Sequence, residues 1–486
     1  MRQPPAPPAT AGLLPYAFAR DQAVALDGDR LHLGPSPTAL GLRAARLLAG
    51  RPLAVARHDA EGFEAVLARL YADAGGPPAD AAAESFDLET DGPAANARDL
   101  LEDPADAPVV RLVNGLLRQA VRAGASDLHL EPQEGGGLKA RLRVDGTMTE
   151  VLDRRDVPAR RVAARLKVMA GLDIAETRLP QDGRIGLRFG GRAIDLRLST
   201  LPGAHGERLV MRLLDRTQGL MTLDRLGLSP AQSARLTALA AQPNGVILAT
   251  GPTGSGKTTT LYSLLRLAER RERTILTIED PVEYDLPGIS QTQVNPDIGL
   301  TFAKGLRSIL RQDPDVILVG EIRDGETAQV ALEAALTGHL VFSSLHTNSA
   351  LGALVRLRDL GVEPYLIAAT LRGVLAQRLL RRVCKACAGT RPATAAEAAR
   401  LGIATVPQAR GCPDCDGTGY QGRLGVFDIL EIGPALRAAI EAGAGVVALG
   451  AAAGGAGDGL AAAAWARVAE GETTPEEVVR VLGTSA

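Results

Sequence analysis

Aromatic residues make up only 3% of the 486-residue chain, too few rings for a base-stacking nucleic-acid platform. Basic residues are not in excess: 54 Lys and Arg face 56 Asp and Glu, a net charge of −2 with a pI of about 6.4. A general binder of phosphate backbones needs a basic field, so no nucleic acid is expected as a partner. No apolar run of ~18 residues occurs, so no helical membrane span is expected. The opening Met1-Arg2-Gln3-Pro4-Pro5 lacks the apolar core of a secretory signal, and the expected location is the cytoplasm. Cysteine is limited to four residues, and lysine to five against forty-nine arginines; the arginine bias reads as the coding preference of a GC-rich genome. What remains, 46% apolar and 23% charged residues, is the balance of a soluble globular chain, long enough for about three domains.

Composition shifts divide the chain. Residues 1–12 are Pro/Ala-rich and read as a disordered tail. Residues 13–72 read as a small domain in which Phe63, Val66, Leu67 and Leu70 share one helical face. Residues 73–106 carry ten acids and one Arg among Pro-Pro and Gly-Pro pairs, the pattern of a self-repelling linker or an acidic loop. A helix over Val109–Val121 and strands over Asp127–Glu131, Leu138–Val144, Arg184–Phe189 and Ala193–Leu198 predict a mixed α+β domain over 107–216. From there short apolar strands, Gly245–Thr250, Thr274–Ile278, Val316–Val319 and Leu340–Ser343, alternate with helical stretches. That alternation predicts an α/β fold with a mainly parallel sheet over 217–380. A cysteine-bearing module over 381–425 and a C-terminal helical region over 426–486 complete the division. The Ala/Gly-rich stretch 442–464 is too weakly apolar for a membrane span.

Gly251-Pro252-Thr253-Gly254-Ser255-Gly256-Lys257-Thr258 fits G-x-x-x-x-G-K-[ST], between an apolar strand and a helix-like run over Thr259–Arg270. Glycines let backbone N–H groups close around phosphates, and the helix N-terminus adds its positive dipole end. Lys257 supplies a compact cation for the terminal phosphates and Thr258 a hydroxyl for Mg²⁺. A lysine there is informative in an arginine-rich chain, because a planar guanidinium does not replace it. The expected cofactors are ATP and Mg²⁺. Apolar strand Val316–Val319 runs into Glu321, and the cluster Glu279-Asp280-Pro281-Val282-Glu283 follows the strand before it. Strand C-termini form the ligand edge of a parallel sheet, so these acids are candidates for holding Mg²⁺ and orienting water; solvated strand ends are the plain alternative. His339 and His346 bracket the strand that starts at Leu340, as γ-phosphate sensors or as structural histidines.

Cys384, Cys387, Cys412 and Cys415 form C-x2-C, 24 residues, C-x2-C. Four thiolates at this spacing close a tetrahedral structural Zn²⁺ site. Disulfides suit an oxidising compartment instead, and an iron–sulfur cluster fits this spacing less well.

In this order, with Thr277–Tyr284, Arg311–Asp315, Gly320–Asp324 and Thr337–Asn348, the motifs resemble those of the secretion ATPases of type II secretion and type IV pilus assembly. The likeness extends to Gly124–His129, Leu179–Arg184, His205–Arg208 and Gly373–Leu379, and spans roughly residues 107–430. The tetracysteine module resembles assembly-type enzymes, and Leu14–Ala19 resembles the opening of type II secretion ATPases. Ser343-Ser344 departs from the family's usual Ser-Thr. The resemblance implies a RecA-like ATPase domain, a homo-hexameric ring, and nucleotide between the middle and ATPase domains. It makes Glu321 the Walker B acid, Glu283 the water activator with Glu279 as runner-up, and Arg197 and Arg212 the arginines that stabilise the transferring phosphoryl group. It also implies that the N-terminal domain binds the cytoplasmic domain of an inner-membrane platform protein, that a polytopic platform protein is a further partner, and that membrane attachment is peripheral. Pilus-assembly or DNA-uptake ATPases share this chemistry; a nucleic-acid motor using the zinc module is the other class.

Overall fold

The computed structural model describes residues 22–49, 52–71, 107–189, 192–215, 221–267, 272–454 and 459–483, with Leu14, Ala19, Phe86 and Asp87. The expected tail, and all but two residues of the expected acidic linker, lie outside the described residues. The chain forms two compact units, one of residues 1–89 with 187–192, the other of 90–186 with 193–486.

In the first unit, strands β1 (Val24–Asp27) and β2 (Arg30–Leu33) form an antiparallel hairpin. Strand β3 (Ala54–Arg57) returns parallel to β2. Between them runs helix Ala39–Ala49, and helix Ala60–Tyr71 follows. Phe63 and Leu67 are buried from that last helix, one turn apart as the apolar spacing predicts, and pack with Leu26, Leu31 and Leu33. The short strand β4 (Phe86–Asp87) pairs with residues 188–189.

The second unit holds two sheets, one of them without its residues 187–192, which belong to the first unit. The first is built from β5 (Asp127–Pro132), β6 (Leu138–Val144), β7 (Thr147–Arg154), β8 (Gln181–Phe189), β9 (Arg192–Gly203) and β10 (Gly206–Asp215). These six run β8-β9-β10-β5-β6-β7, with every pairing from β9 to β7 antiparallel. Helices Ala107–Arg122 and Ala159–Met169 pack against it. Leu128 and Leu130 of β5 are buried together with Leu116, Leu117, Val162 and Leu166 from these helices, so the alternate residues Asp127, His129 and Glu131 line the other face.

The larger sheet contains β11 (Gly245–Thr250), β12 (Ile275–Glu279), β13 (Ser290–Gln293), β14 (Val316–Val319), β15 (Leu340–Leu345) and β16 (Leu371–Val383). A small hairpin, β17 (Gly389–Pro392) and β18 (Thr405–Gln408), intervenes before β19 (Tyr420–Glu431). The order is β13-β12-β14-β15-β11-β16-β19, parallel except for β19, which is antiparallel to β16. The α/β fold with a mostly parallel sheet is therefore as expected. Strands β11, β14 and β15 are buried throughout, which is why they read as unbroken apolar runs. Their residues alternate between two cores. Ile247, Leu318 and Phe342 pack with Leu261 and Tyr262 of helix Lys257–Leu267. Val246, Ile317 and Val341 pack with helices Gly325–Leu336 and Ala350–Asp359 on the other face.

Three expectations are corrected. Strands β7 and β10 were not among the strands expected, although both carry the partial apolar–polar alternation of a half-buried strand. Residues 426–431 are the end of β19 rather than the start of a helical region. The boundaries at 380 and 425 cut through β16 and β19, which form one continuous ladder from Gly373–Glu431 to Val383–Tyr420. Among the described residues no helix is long and apolar enough to cross a membrane.

Candidate functional site

The phosphate loop leaves the C-terminal end of β11, in the sheet interior between β15 and β16. Two of its glycines are required by space. A Cβ on Gly251 would lie 2.6 Å from the Gln377 carbonyl oxygen, and one on Gly256, where φ is +87°, 2.8 Å from Gln377 Nε2. The loop is thus pressed against β16, and only glycine permits that approach. Gln377 is buried and accepts a hydrogen bond from Thr260 Oγ1 at 2.8 Å, which fastens the following helix to the same strand.

Lys257 is buried, and its Nζ donates to the Gly251 and Pro252 carbonyls at 2.8 and 3.0 Å. Burial brings its pKa down to about 8; Glu321 works against that shift and Arg378 adds to it. The lysine is folded over the loop's own carbonyls, and a phosphate would replace these two carbonyl oxygens with a full counter-charge. Ser255 Oγ is buried with no hydrogen-bond partner among the described residues, and Thr258 is exposed at the loop's end.

Glu321 follows β14 at the same edge. His346 Nε2 lies 2.9 Å from its Oε2, and Arg323 pairs with its other oxygen. Arg323 also reaches Asp280 at 3.3 Å. Glu279 is deeply buried and accepts from Tyr262 Oη, from Thr277 Oγ1 at 2.6 Å and from Gln291 Nε2 at 3.0 Å. Burial and the adjoining Glu279 push the Tyr262 phenol far above its usual range, so it stays a donor. Glu283 faces a different group. Arg197 Nη1 lies 2.9 Å from Glu283 Oε2, and Arg197 Nη2 donates to the Val282 carbonyl at 2.8 Å.

Arg212 sits opposite Arg197 in the β9–β10 ladder but is half exposed and bonded through Nε to Asp127 at 3.1 Å. The structure therefore brings Arg197 to the acidic loop and leaves Arg212 beside it on the antiparallel sheet. His339 departs from the expected pair. It precedes the first residue of β15, its Nδ1 lies 2.8 Å from the Ala334 carbonyl oxygen, and its own carbonyl accepts from Gly245 at the start of β11. Six strand residues, about 20 Å, separate it from the phosphate-loop edge within one chain. Gln377 and Arg378 lay inside the Gly373–Leu379 likeness without a role, and Tyr262 was not singled out from the sequence. The available signal was two consecutive polar residues, Gln377-Arg378, inside the apolar run Val374–Leu380.

Away from this edge the four cysteines converge between β16 and β19. Sulfur separations are 3.9 Å for Cys384–Cys412, 3.8 Å for Cys387–Cys415 and 3.7 Å for Cys412–Cys415. Four sulfurs at ~2.3 Å from one tetrahedral zinc lie about 3.8 Å apart, so the set fits that ion. All four thiols are free of disulfides. Burial opposes the Cys415 thiolate, yet N–H groups of Cys412 and Gly419 help bring its pKa down to about 6, a ready metal ligand.

The type II/IV secretion system protein family matches residues 102–480. Type II secretion system protein E of Pectobacterium carotovorum is 47% identical over 490 residues, covering 96% of this chain and 97% of its own. Type II secretion system ATPase E of Vibrio cholerae is 49% identical over 396 residues, 80% of this chain and 78% of its own. Among solved structures, the pilus retraction motor PilT superimposes with a TM-score of 0.52 at 26% identity, covering 75% of this chain and 95% of that one. With near-full-length relatives at this identity, the chain belongs to the secretion ATPase family of type II secretion system protein E.

Proposed function

We propose that the chain is a Mg²⁺-dependent ATP hydrolase that powers type II protein secretion by driving pseudopilus assembly as a hexameric ring. The observation that carries this reading is the convergence at one sheet edge of the Lys257 loop, the Glu321–His346 pair and an arginine-held Glu283. Lys257 and the loop N–H groups bind the phosphates. Thr258 and Glu321 would hold Mg²⁺, which supplies charge neutralisation between the terminal phosphates. Glu283 orients the attacking water and takes its proton, with Arg197 fixing the carboxylate. Arg212, one strand over, adds positive charge for the transferring phosphoryl group. His346 steadies Glu321 and reads the terminal phosphate. Glu279, occupied by three donors, supports the loop instead of acting on water. The related retraction motor was solved with bound ADP, which supports nucleotide at this edge. Zn²⁺ in the four-cysteine site is structural, since four protein ligands leave no open position.

The chain works in the cytoplasm and attaches peripherally to the inner membrane. Its N-terminal unit docks on the cytoplasmic domain of an inner-membrane platform protein, and the ring acts on a polytopic one. The test is co-purification of the full chain with that cytoplasmic domain from the same genome, followed by Mg²⁺-ATPase assays of both preparations. Complex formation with raised turnover is expected, Lys257→Ala is expected to abolish hydrolysis, and Glu321→Gln to bind ATP with barely any turnover. Wild-type turnover in either variant overturns the site. Stimulation only by a pilus platform protein or by DNA overturns the pathway.

A further inference from the structure

Arg378 is a buried cation whose place the motifs leave unexplained. It lies on β16 between Gln377 and Leu379 and is only 7% exposed. Its Nη1 donates to the Gln377 carbonyl at 2.9 Å. Its Nη2 donates to the Asn348 carbonyl at 3.0 Å and to Asn348 Oδ1 at 3.3 Å. Among the described residues it has no carboxylate partner, and burial lowers its pKa. A guanidinium buried against neutral acceptors alone is costly to keep, and an apolar strand residue would be cheaper unless an anion comes near.

Arg378 sits midway along β16, beside the C-terminal ends of β11 and β15. The Gln377 carbonyl it holds is the one against which Gly251 is pressed. Asn348 follows β15, two residues beyond His346, which pairs with Glu321. The same segment after β15 is tied separately to the end of β11 by Thr250 Oγ1, which donates to the Thr347 carbonyl at 3.1 Å. One rigid fork therefore spans the wall behind the phosphate loop and the segment carrying His346. The charges at this edge are Lys257, Glu321, Arg323, Asp280 and His346, together with Glu279, Glu283 and Arg197; Glu321 and Asp280 are each already engaged by Arg323, and Glu283 by Arg197.

We propose that Arg378 is a positioning residue that sets the His346 segment against the phosphate loop and whose unneutralised charge favours a nucleoside triphosphate over a diphosphate. The inference rests on the phosphate loop being the nucleotide site. Two functions are separable. The bridge needs the planar fork, which lysine lacks, whereas the field needs only a positive charge.

The test uses the full chain, its Arg378→Lys and Arg378→Gln variants, and Lys257→Ala as control. Affinities are measured for a fluorescent ADP and for a non-hydrolysable ATP analogue, beside kcat and KM. Arg378→Lys is expected to lower kcat by about tenfold or more while keeping ADP affinity and the preference for triphosphate. Arg378→Gln is expected to lose that preference as well, with ADP affinity still kept. Asn348→Ala, which removes one acceptor of the bridge, is expected to lower kcat in the same direction as Arg378→Lys. Wild-type kcat and preference in the Arg378 variants overturn the proposal. So does loss of ADP and triphosphate affinity in parallel, which marks a merely structural residue. A Lys257→Ala chain that binds both nucleotides like wild type overturns the nucleotide site itself, a result distinct from either.

Discussion

Lys257 carries the sharpest consequence at the scale of single residues. Binding an anionic phosphate requires its ammonium form. In the free site burial holds the pKa near 8, and a phosphate beside it raises the value again. The bound state therefore holds the proton more tightly. Affinity for ATP is full below about pH 8 and declines by up to about tenfold per pH unit above it, until the bound-state pKa is reached. A titration of fluorescent nucleotide from pH 7 to pH 9.5 checks this, and a flat profile refutes it. The residue scale also separates what was legible from what was not. The phosphate loop could be read because its chemistry fixes residue types at fixed offsets. The division of labour between Glu279 and Glu283 could not. It depends on Tyr262, Thr277 and Gln291 converging on Glu279 while Arg197 reaches Glu283 from another sheet, and of these partners only Thr277 is local in sequence. His339 and His346 read as one pair in the sequence, although the ligand edge lies at strand C-termini and only His346 follows β15; their different partners, Ala334 and Glu321, come from the fold.

Among the elements, the strands buried on both faces were legible and the ladder from β16 to β19 was not. Its two strands are separated by the whole cysteine module, so no local pattern reports their pairing; only the fold brings Arg381 opposite Arg423. That ladder ends in the metal-ligating turns, and its tip is bound to the C-terminal helix Pro475–Leu482. Arg381 donates from its backbone N–H at 2.9 Å and through its guanidinium to the buried Glu477, which Arg480 also grips at 2.6 and 2.7 Å. Burial raises the Glu477 pKa, but Arg480 and Arg381 more than reverse it and hold the carboxylate below its usual range. The ion network and the metal site thus staple the same strand end. The full chain should contain about one Zn²⁺, read by metal analysis beside thiol titration. Stripping the metal should lower the unfolding temperature and speed amide exchange first in residues 475–482 and at the ladder tip. A metal-free chain that keeps its unfolding temperature and exchange pattern, with four titratable thiols, sinks the structural role.

For the whole molecule the question is which chain completes which site. Arg197 of the antiparallel sheet and the acidic loop of the parallel sheet belong to one compact unit, and Arg197 bonds Glu283 and Val282 within a single chain. An arginine already seated on the acidic loop of its own chain serves the nucleotide held by that chain's Lys257. The expectation is therefore catalysis in cis, even inside a ring. Arg197→Ala should lower kcat by about 10²-fold, in line with the loss of one preorganised charge at a transition state. Mixing Arg197→Ala chains with Lys257→Ala chains should give no more activity than the two added together, because every site in a mixed ring then lacks one of its two groups. Differently tagged chains that co-purify from the mixture establish that mixed rings formed. Recovery of a substantial part of wild-type turnover would place the arginine in trans and reassign the Arg197–Glu283 contact to a resting arrangement. Domain motion would then have to carry Arg197 away from Glu283 and onto a neighbour's nucleotide during each cycle. In the cis reading the contact persists, and hydrolysis need only change how tightly the two sheets close on each other.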